Sequence, residues 1–314
     1  MLGAATVSYE PRRPEETVLY RVLAREVETF LVHQSRRDRI VPRFVERELR
    51  GFLDCGILAH GFLRVHCDAC GRDRLVPFSC KGRGFCPSCG GRRMADTAAH
   101  LVDRVLPSAA ARQWVLSLPV ALRYRLAYDA RLVQDVLRVF LRTIAASLRR
   151  RARASGKAQW GAVTFVQRFG SALNLNVHFH TLALDGVYVT SHGETRFRTL
   201  PPPDDAEVAR ITTLVARRIV RLLERRGLGP DSDAEDADPL PRDEPLLAEI
   251  YGASVHQRIA AGPRAGQRLG RLGDRIEVED LAAPLGPRCA SVAGFSVHAN
   301  VAVPARDRAR LERL

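Results

Sequence analysis

Apolar residues recur at helical spacing in four stretches of the chain. Val18, Val22, Val27 and Leu31 form one stripe, and Val41, Phe44, Val45, Leu49 and Leu53 a second, which predicts a helical pair over 15–54 with Gly56 as its stop. Leu132, Val136, Phe140, Ile144 and Leu148 predict an amphipathic helix over 131–150. Val208, Ile211, Val215, Ile219 and Leu222 predict another over 205–226, with Asp204 or Asp205 as N-cap and Gly227 past its end. The period changes to two in other places. Residues 111–118 read as a strand ended by Pro119, and 159–169 and 173–184 as two strands joined at Gly170 and Ser171. Residues 291–303 return to alternation, and no internal repeat is visible.

Between His60 and Gly91 the periodicity fades, and five cysteines stand among frequent glycines and arginines. That stretch has too few large apolar residues to fold on a core of its own. Residues 228–245 hold seven acidic residues and four prolines, the composition of a solvated linker or insertion. The resulting organisation is an N-terminal helical segment (1–58), a metal-binding module (59–95), and a larger domain (105–314) interrupted by 228–245. Its fold class is α+β, with an antiparallel sheet flanked by helices.

Length and charge narrow the function. A chain of 314 residues is ample for two domains, and 46% hydrophobic with 27% charged residues excludes a disordered or fibrous protein. The longest apolar runs, about eight residues, fall short of the roughly 20 that a membrane span needs. The opening MLGAATVSYEPRRPEE has no apolar run after a basic end, so a soluble cytoplasmic protein is expected, with no membrane partner. The formal charge is +14, and only Lys81 and Lys157 are lysines, so 47 of the 49 basic residues are arginine. GC-rich codon usage explains part of that bias. The excess positive charge itself favours a polyanion, nucleic acid being the commonest.

The cysteines are spaced Cys67-x2-Cys70 and Cys86-x2-Cys89, with 15 residues between the pairs. Each CxxC turn aims two thiolates at one ion, and two such turns complete the tetrahedral cage that Zn2+ prefers. Disulfides are the poorer reading of an odd cysteine count without a secretory signal, and a redox CxxC would occur once. Cys67, Cys70, Cys86 and Cys89 are therefore the expected ligands of a structural zinc, which folds the module and leaves no open position for chemistry. Cys80 either replaces one of the four or sits beside them; Cys55 and Cys289 read as small buried residues. Lys81, Arg83, Arg92 and Arg93 would give the module a basic face.

Downstream, Leu173-Asn174-Leu175-Asn176-Val177-His178-Phe179-His180 alternates. Leu173, Leu175, Val177 and Phe179 face the core; Asn174, Asn176, His178 and His180 face the other way. Imidazoles at i and i+2 stand about 6–7 Å apart along a strand. That suits shared ligation of one divalent ion, with an open position for a phosphate oxygen and a third ligand among Asp185, Gln167 and His298. The alternative is a merely solvated polar face. Tyr124 and Tyr128, four apart on a helix, look like paired nucleophiles, although a phenol of pKa about 10 attacks poorly without a metal or base and such a pair more often packs.

Several segments together carry a family resemblance. They are His60-Gly61-Phe62-Leu63-Arg64, the Cys67/Cys70 pair, Phe78-Ser79-Cys80-Lys81 and Arg83-Gly84-Phe85-Cys86-Pro87-Ser88-Cys89. This region resembles the zinc-binding region of the insertion-sequence-ninety-one family of rolling-circle transposases and their ISCR (common-region) relatives. Asn176 to Tyr188 is similar to that family's HUH (His-hydrophobic-His) strand, and Gly294 to Asn300 to its C-terminal strand. The resemblance spans about residues 15–314. It implies a zinc-ribbon-like module followed by an HUH-type sheet. It also implies Mg2+ or Mn2+ on His178 and His180, and DNA, single-stranded or as hairpin element ends, as partner. The chemistry it implies is strand cleavage and joining through a 5′-phosphotyrosine and a free 3′-OH.

The family places its tyrosine on a helix after the C-terminal strand. Here that helix is expected near Pro304, and no tyrosine follows Tyr251. The expectation is a truncated or split product that keeps DNA and metal binding without cleavage. Relaxases share the chemistry with an upstream tyrosine, which keeps Tyr124 and Tyr128 as permuted alternatives. Two other functions compete. Asn176-x-His178-x-His180 is similar to the strand of histidine-triad nucleotide hydrolases, with Asn176 where their first histidine stands. A non-catalytic zinc-dependent DNA-binding protein would carry the histidines as surface residues.

Overall fold

A computed structural model describes residues 12–82, 84–154, 158–170, 174–228, 238–268 and 286–314. Arg83, Ser171, Leu173 and most of the acidic stretch, from Gly229 to Ala237, lie outside the described residues. The chain divides into two compact units, Met1–His100 and Leu101–Leu314.

In the first unit the expected helical pair is α1 (Val18–Ser35) and α2 (Arg43–Asp54). The Thr17 hydroxyl caps α1 by accepting from the Tyr20 N–H at 3.2 Å, and Pro42 precedes α2. Of the first apolar stripe only Val27 is buried, and Val18 and Val22 stay exposed. The reason is the scale of the core, which gathers Tyr20, Leu23, Phe52 and Leu53 around Cys55 and Cys86. A hairpin of β1 (Phe62–His66) and β2 (Asp73–Pro77) follows, then α3 (Pro87–His100). The hairpin's base is closed by Gly56 N–H donating to Phe78 C=O (2.9 Å) and Phe78 N–H to Gly61 C=O (3.0 Å). Gly61 has φ +118° there, and a Cβ would meet the Phe78 ring at 2.7 Å, so the position admits glycine alone.

The second unit begins with β3 (Ala111–Ser117), α4 (Val120–Tyr128) and α5 (Ala130–Arg151), then β4 (Ala162–Phe169) and β5 (Leu175–Leu184). β6 (Gly186–Ser191) and β7 (Glu194–Thr199) form a separate hairpin. α6 (Asp205–Arg225), a short α7 (Leu240–Asp243) and α8 (Pro245–Val255) follow. The chain then supplies β8 (Cys289–Val292), β9 (Phe295–His298), β10 (Ala302–Val303) and α9 (Arg308–Arg313). Asp204 is the N-cap of α6, accepting from Glu207 N–H at 2.7 Å.

The main sheet runs β4-β5-β3-β9-β8, with β10 also beside β3, and every pairing is antiparallel. The α+β architecture with an antiparallel sheet flanked by helices is thus present. One face of the sheet, carrying Trp114, Leu116, Val177, Phe179 and Val297, packs against Leu132, Val136, Phe140 and Ile144 of α5 and Val208, Ile211, Val215 and Ile219 of α6. Part of the expected acidic linker is structured instead. Asp238 accepts from the Leu240 N–H (3.1 Å) and precedes α7 and α8, because its prolines stand before or at helix starts, where no N–H is needed. No helix among the described residues is long and apolar enough to cross a membrane.

Candidate functional site

Four sulfurs converge in the first unit. The Sγ atoms of Cys55, Cys80, Cys86 and Cys89 lie within 4.8 Å of one another. Cys55–Cys89 is 3.6 Å, Cys80–Cys89 3.4 Å and Cys55–Cys86 3.7 Å. A tetrahedral Zn2+ with Zn–S of about 2.3 Å requires an S···S edge of about 3.8 Å, so these spacings fit a zinc ion and exclude disulfides. Cys86 and Cys89 flank the start of α3, whose N-terminal N–H groups favour thiolates. Against the desolvation of burial, hydrogen bonds from the Cys89 backbone and the neighbouring thiols lower Cys86 to about 7, and burial raises Cys55 and Cys80.

This group differs from the four cysteines that the spacing suggests. Cys86 and Cys89 belong to it, whereas Cys67 and Cys70 do not, and Cys55 and Cys80 take their places. The cause is the hairpin. Cys67 and Cys70 form its exposed tip, and five strand residues carry that tip about 16 Å from the base. Cys55 and Cys80 flank the base, where the Gly56–Phe78 hydrogen bond draws them together. The tip nevertheless has the form of a metal-binding turn, because Cys70 and Ala69 N–H groups donate to Cys67 and lower its thiol below the usual range. Of the expected basic face, Arg93 donates to the Lys81 carbonyl at 3.4 Å.

In the second unit the histidines stand on the sheet face away from α5 and α6. Residues directly opposite in antiparallel strands share a face. His178 pairs with Ser117 on β3 and Gln167 on β4; His180 pairs with Val115 and Phe165. The two imidazole centroids are 5.0 Å apart. His178 donates from Nδ1 to the Asn176 carbonyl at 2.6 Å, which leaves Nε2 as a bare ligand nitrogen. His180 Nδ1 lies 3.2 Å from the Gln113 side-chain amide. As oriented, the Gln113 Nε2–H donates to that Nδ1 and the ring proton sits on Nε2; a half-turn of the amide would move the proton to Nδ1 and free Nε2 for a cation. Burial, aided by His178, holds His180 below the ordinary imidazole value, so it is neutral at physiological pH. Beside them Asn176 Oδ1 is buried without a hydrogen-bond partner. A shielded acceptor lacking a donor is costly unless something electropositive meets it.

The three possible third ligands separate clearly. Asp185 is committed elsewhere: Arg112 grips it from Nε (3.1 Å) and Nη2 (2.7 Å), both side chains being buried. Arg112 also donates to the Ala299 carbonyl at 2.7 Å. His298 is on the histidine face but two strands from His180 across Val115, and its Nδ1 is 3.0 Å from Cys289 Sγ. Gln167 stands in register beside His178 on the adjacent strand. Cys289 is half-exposed on β8, not a buried filler.

Tyr124 and Tyr128 pack edge to face, 5.6 Å between centroids, and Tyr124 joins Tyr251, Ala127, Leu175 and Val255 in a small apolar cluster. Tyr128 donates to Asp238 Oδ1 at 2.6 Å. Burial, reinforced by Asp238, pushes Tyr124 up to about 12 and raises Tyr128 as well. Both phenols are held protonated, the opposite of activation.

Comparison with known protein families gives two matches in chain order. A model described as "Transposase zinc-binding domain" matches residues 25–118, and one described as "Putative transposase" matches residues 161–314. No curated protein and no solved structure matches the chain. The first match spans all four clustered cysteines and the second both histidines, and DNA is the partner that a transposase requires. With a zinc-binding domain preceding a transposase domain, the chain belongs to the insertion-sequence-ninety-one family of transposases.

Proposed function

We propose that the chain acts on single-stranded or hairpin DNA at element ends, with His178 and His180 holding Mg2+ or Mn2+ against the scissile phosphate, in the HUH manner of rolling-circle transposition. The observation that supports this most is the histidine pair, 5.0 Å apart on an open sheet face beside the unpartnered Asn176 oxygen. When bound, the ion would neutralise phosphate charge and polarise the phosphorus centre. The chain's own residues prepare that position. Asn176 orients His178 through its carbonyl, burial keeps His180 unprotonated, and Gln167 stands where a further oxygen ligand is needed. This donor set is uncharged, so a phosphate oxygen supplies its first negative ligand. Ser117 and Ser296, paired in the same row as His178, offer hydroxyl donors to the strand being held.

In this reading a tyrosine oxygen bonds to phosphorus as the bond to the 3′-oxygen breaks; the phenol proton is released and the 3′-oxygen gains one. The surroundings of Tyr124 and Tyr128 support a packing role for both, joining α4 to α8 and the start of β5. Zinc, in the same reading, sits on Cys55, Cys80, Cys86 and Cys89 and has a structural role only.

The test is an end-labelled hairpin oligonucleotide with purified protein, resolved on native and denaturing gels with and without Mn2+. Mn2+ should tighten binding of the single strand at least tenfold, and His178→Ala/His180→Ala should abolish that gain. A labelled band at protein mass that vanishes in Tyr124→Phe or Tyr128→Phe would replace the packing role with a nucleophilic one. Binding indifferent to both Mn2+ and the histidines would make the chain a non-catalytic DNA-binding protein.

A further inference from the structure

The layer of helices opposite the histidines carries a second feature. α5 and α6 lie side by side on the sheet, and on their solvent side a groove of about 280 Å³ opens between them. It is lined by Val139 and Arg142 of α5 and by Arg218, Arg221 and Arg225 of α6. The three arginines of α6 fall at i, i+3 and i+7, one stripe of that helix, so four guanidiniums face one cleft. Arg218 donates to the Thr143 hydroxyl at 2.9 Å. Arg142, Arg221 and Arg225 make no hydrogen bond or ion pair with any described residue.

Two acids of the helix pair, at its two ends, are engaged elsewhere, and Glu224, one turn from Arg221, forms no ion pair with it. Asp135 is taken by Arg138 and Arg226, and Glu207 by Arg150, Arg210 and Ser147. Like charges at i, i+3 and i, i+4 repel along a helix, so the fold maintains an unfavourable cationic array. An anion in the groove reverses the sign of that interaction. Guanidinium forks match phosphate oxygens in geometry as well as charge.

We propose that this groove is a second DNA site, which binds the phosphodiester backbone of a segment other than the one at the histidines. Its position requires a different segment. The groove and His178 lie on opposite sides of the sheet and its helical layer, at least one helix diameter, about 10–12 Å, apart. The domain thereby holds two DNA segments at once. Whether the second is duplex or single-stranded, the recognised chemistry is the backbone phosphate.

The experiment measures affinity against salt concentration for a duplex and a single strand of equal length and sequence. The proteins are wild type, Arg142→Gln/Arg221→Gln/Arg225→Gln, and the corresponding triple lysine variant. Arg218 is left in place because it supports Thr143. Loss of three phosphate contacts should make the slope of log K against log salt shallower by about 2.7 with duplex or about 2.1 with single strand. The probe that shows the loss identifies the segment bound. The lysine variant should keep most of the slope, and a lysine variant as weak as the glutamine one would mean a structural effect and overturn the proposal. Bead-bound hairpin DNA should capture a second, labelled duplex or single strand through wild type and not through the glutamine variant. His178→Ala/His180→Ala should retain the groove's share of the slope, so failure of the histidine reading leaves this one measurable. An unchanged slope with both probes overturns it.

Discussion

Asp185 follows His180 by five residues, an odd separation across a strand that ends at Leu184, so the two carboxylate oxygens turn to the helical side and meet Arg112. A buried guanidinium needs that partner far more than the histidines do. Asp185→Ala leaves Arg112 charged with only the Ala299 carbonyl as partner among the described residues, and should cost about 3–5 kcal/mol in urea unfolding of the full chain. Mn2+ affinity of the folded variant should match wild type; lost affinity at unchanged stability would return Asp185 to the ligand set. Parity along the strand was legible in the residues themselves. The identity of Asp185's partner was not, because Arg112 lies 73 positions away and only the β3–β5 pairing brings it near.

At the scale of elements, the long helices and paired strands follow their sequence periods closely: α5 covers Ala130–Arg151 where 131–150 is predicted, and β4 and β5 pair as the expected hairpin. Which cysteines cluster does not follow from spacing, since a CxxC pair reports a turn that can hold an ion and not which turns meet. The β1–β2 hairpin decides that by carrying Cys67 and Cys70 away from α3 and bringing Cys55 and Cys80 to it. Sequence offered one hint, the closeness of Cys55 to a glycine stop and of Cys80 to Phe78, the two residues that close the hairpin's base. Zinc content checks the outcome. Cys55→Ser and Cys80→Ser should each abolish stoichiometric zinc in the purified protein, whereas Cys67→Ser/Cys70→Ser should retain it. The reverse pattern would restore the two CxxC pairs as the ligands.

Considered whole, the chain carries its positive charge on two units of unequal self-sufficiency. The second has a continuous core from β3, β5 and β9 to α5 and α6; the first gathers only a few side chains around its sulfurs. Metal removal should therefore act on one unit. A strong zinc chelator should abolish the calorimetric transition of Met1–His100 and leave that of Leu101–Leu314 in place. Loss of both transitions would show that the second unit needs the zinc too.

The residues alone determine the periods of the major helices and strands, the thiol and imidazole chemistry, the excess of arginine and the family to which these motifs belong, because each is local or additive along the chain. Tertiary structure decides which four thiols meet, which face of the sheet stays open around His178 and His180, that Asp185 is spent on Arg112, and that four arginines share one groove. All four depend on pairings between residues distant in sequence, where hairpin geometry, strand register and helix packing set the neighbours and spacing has no say.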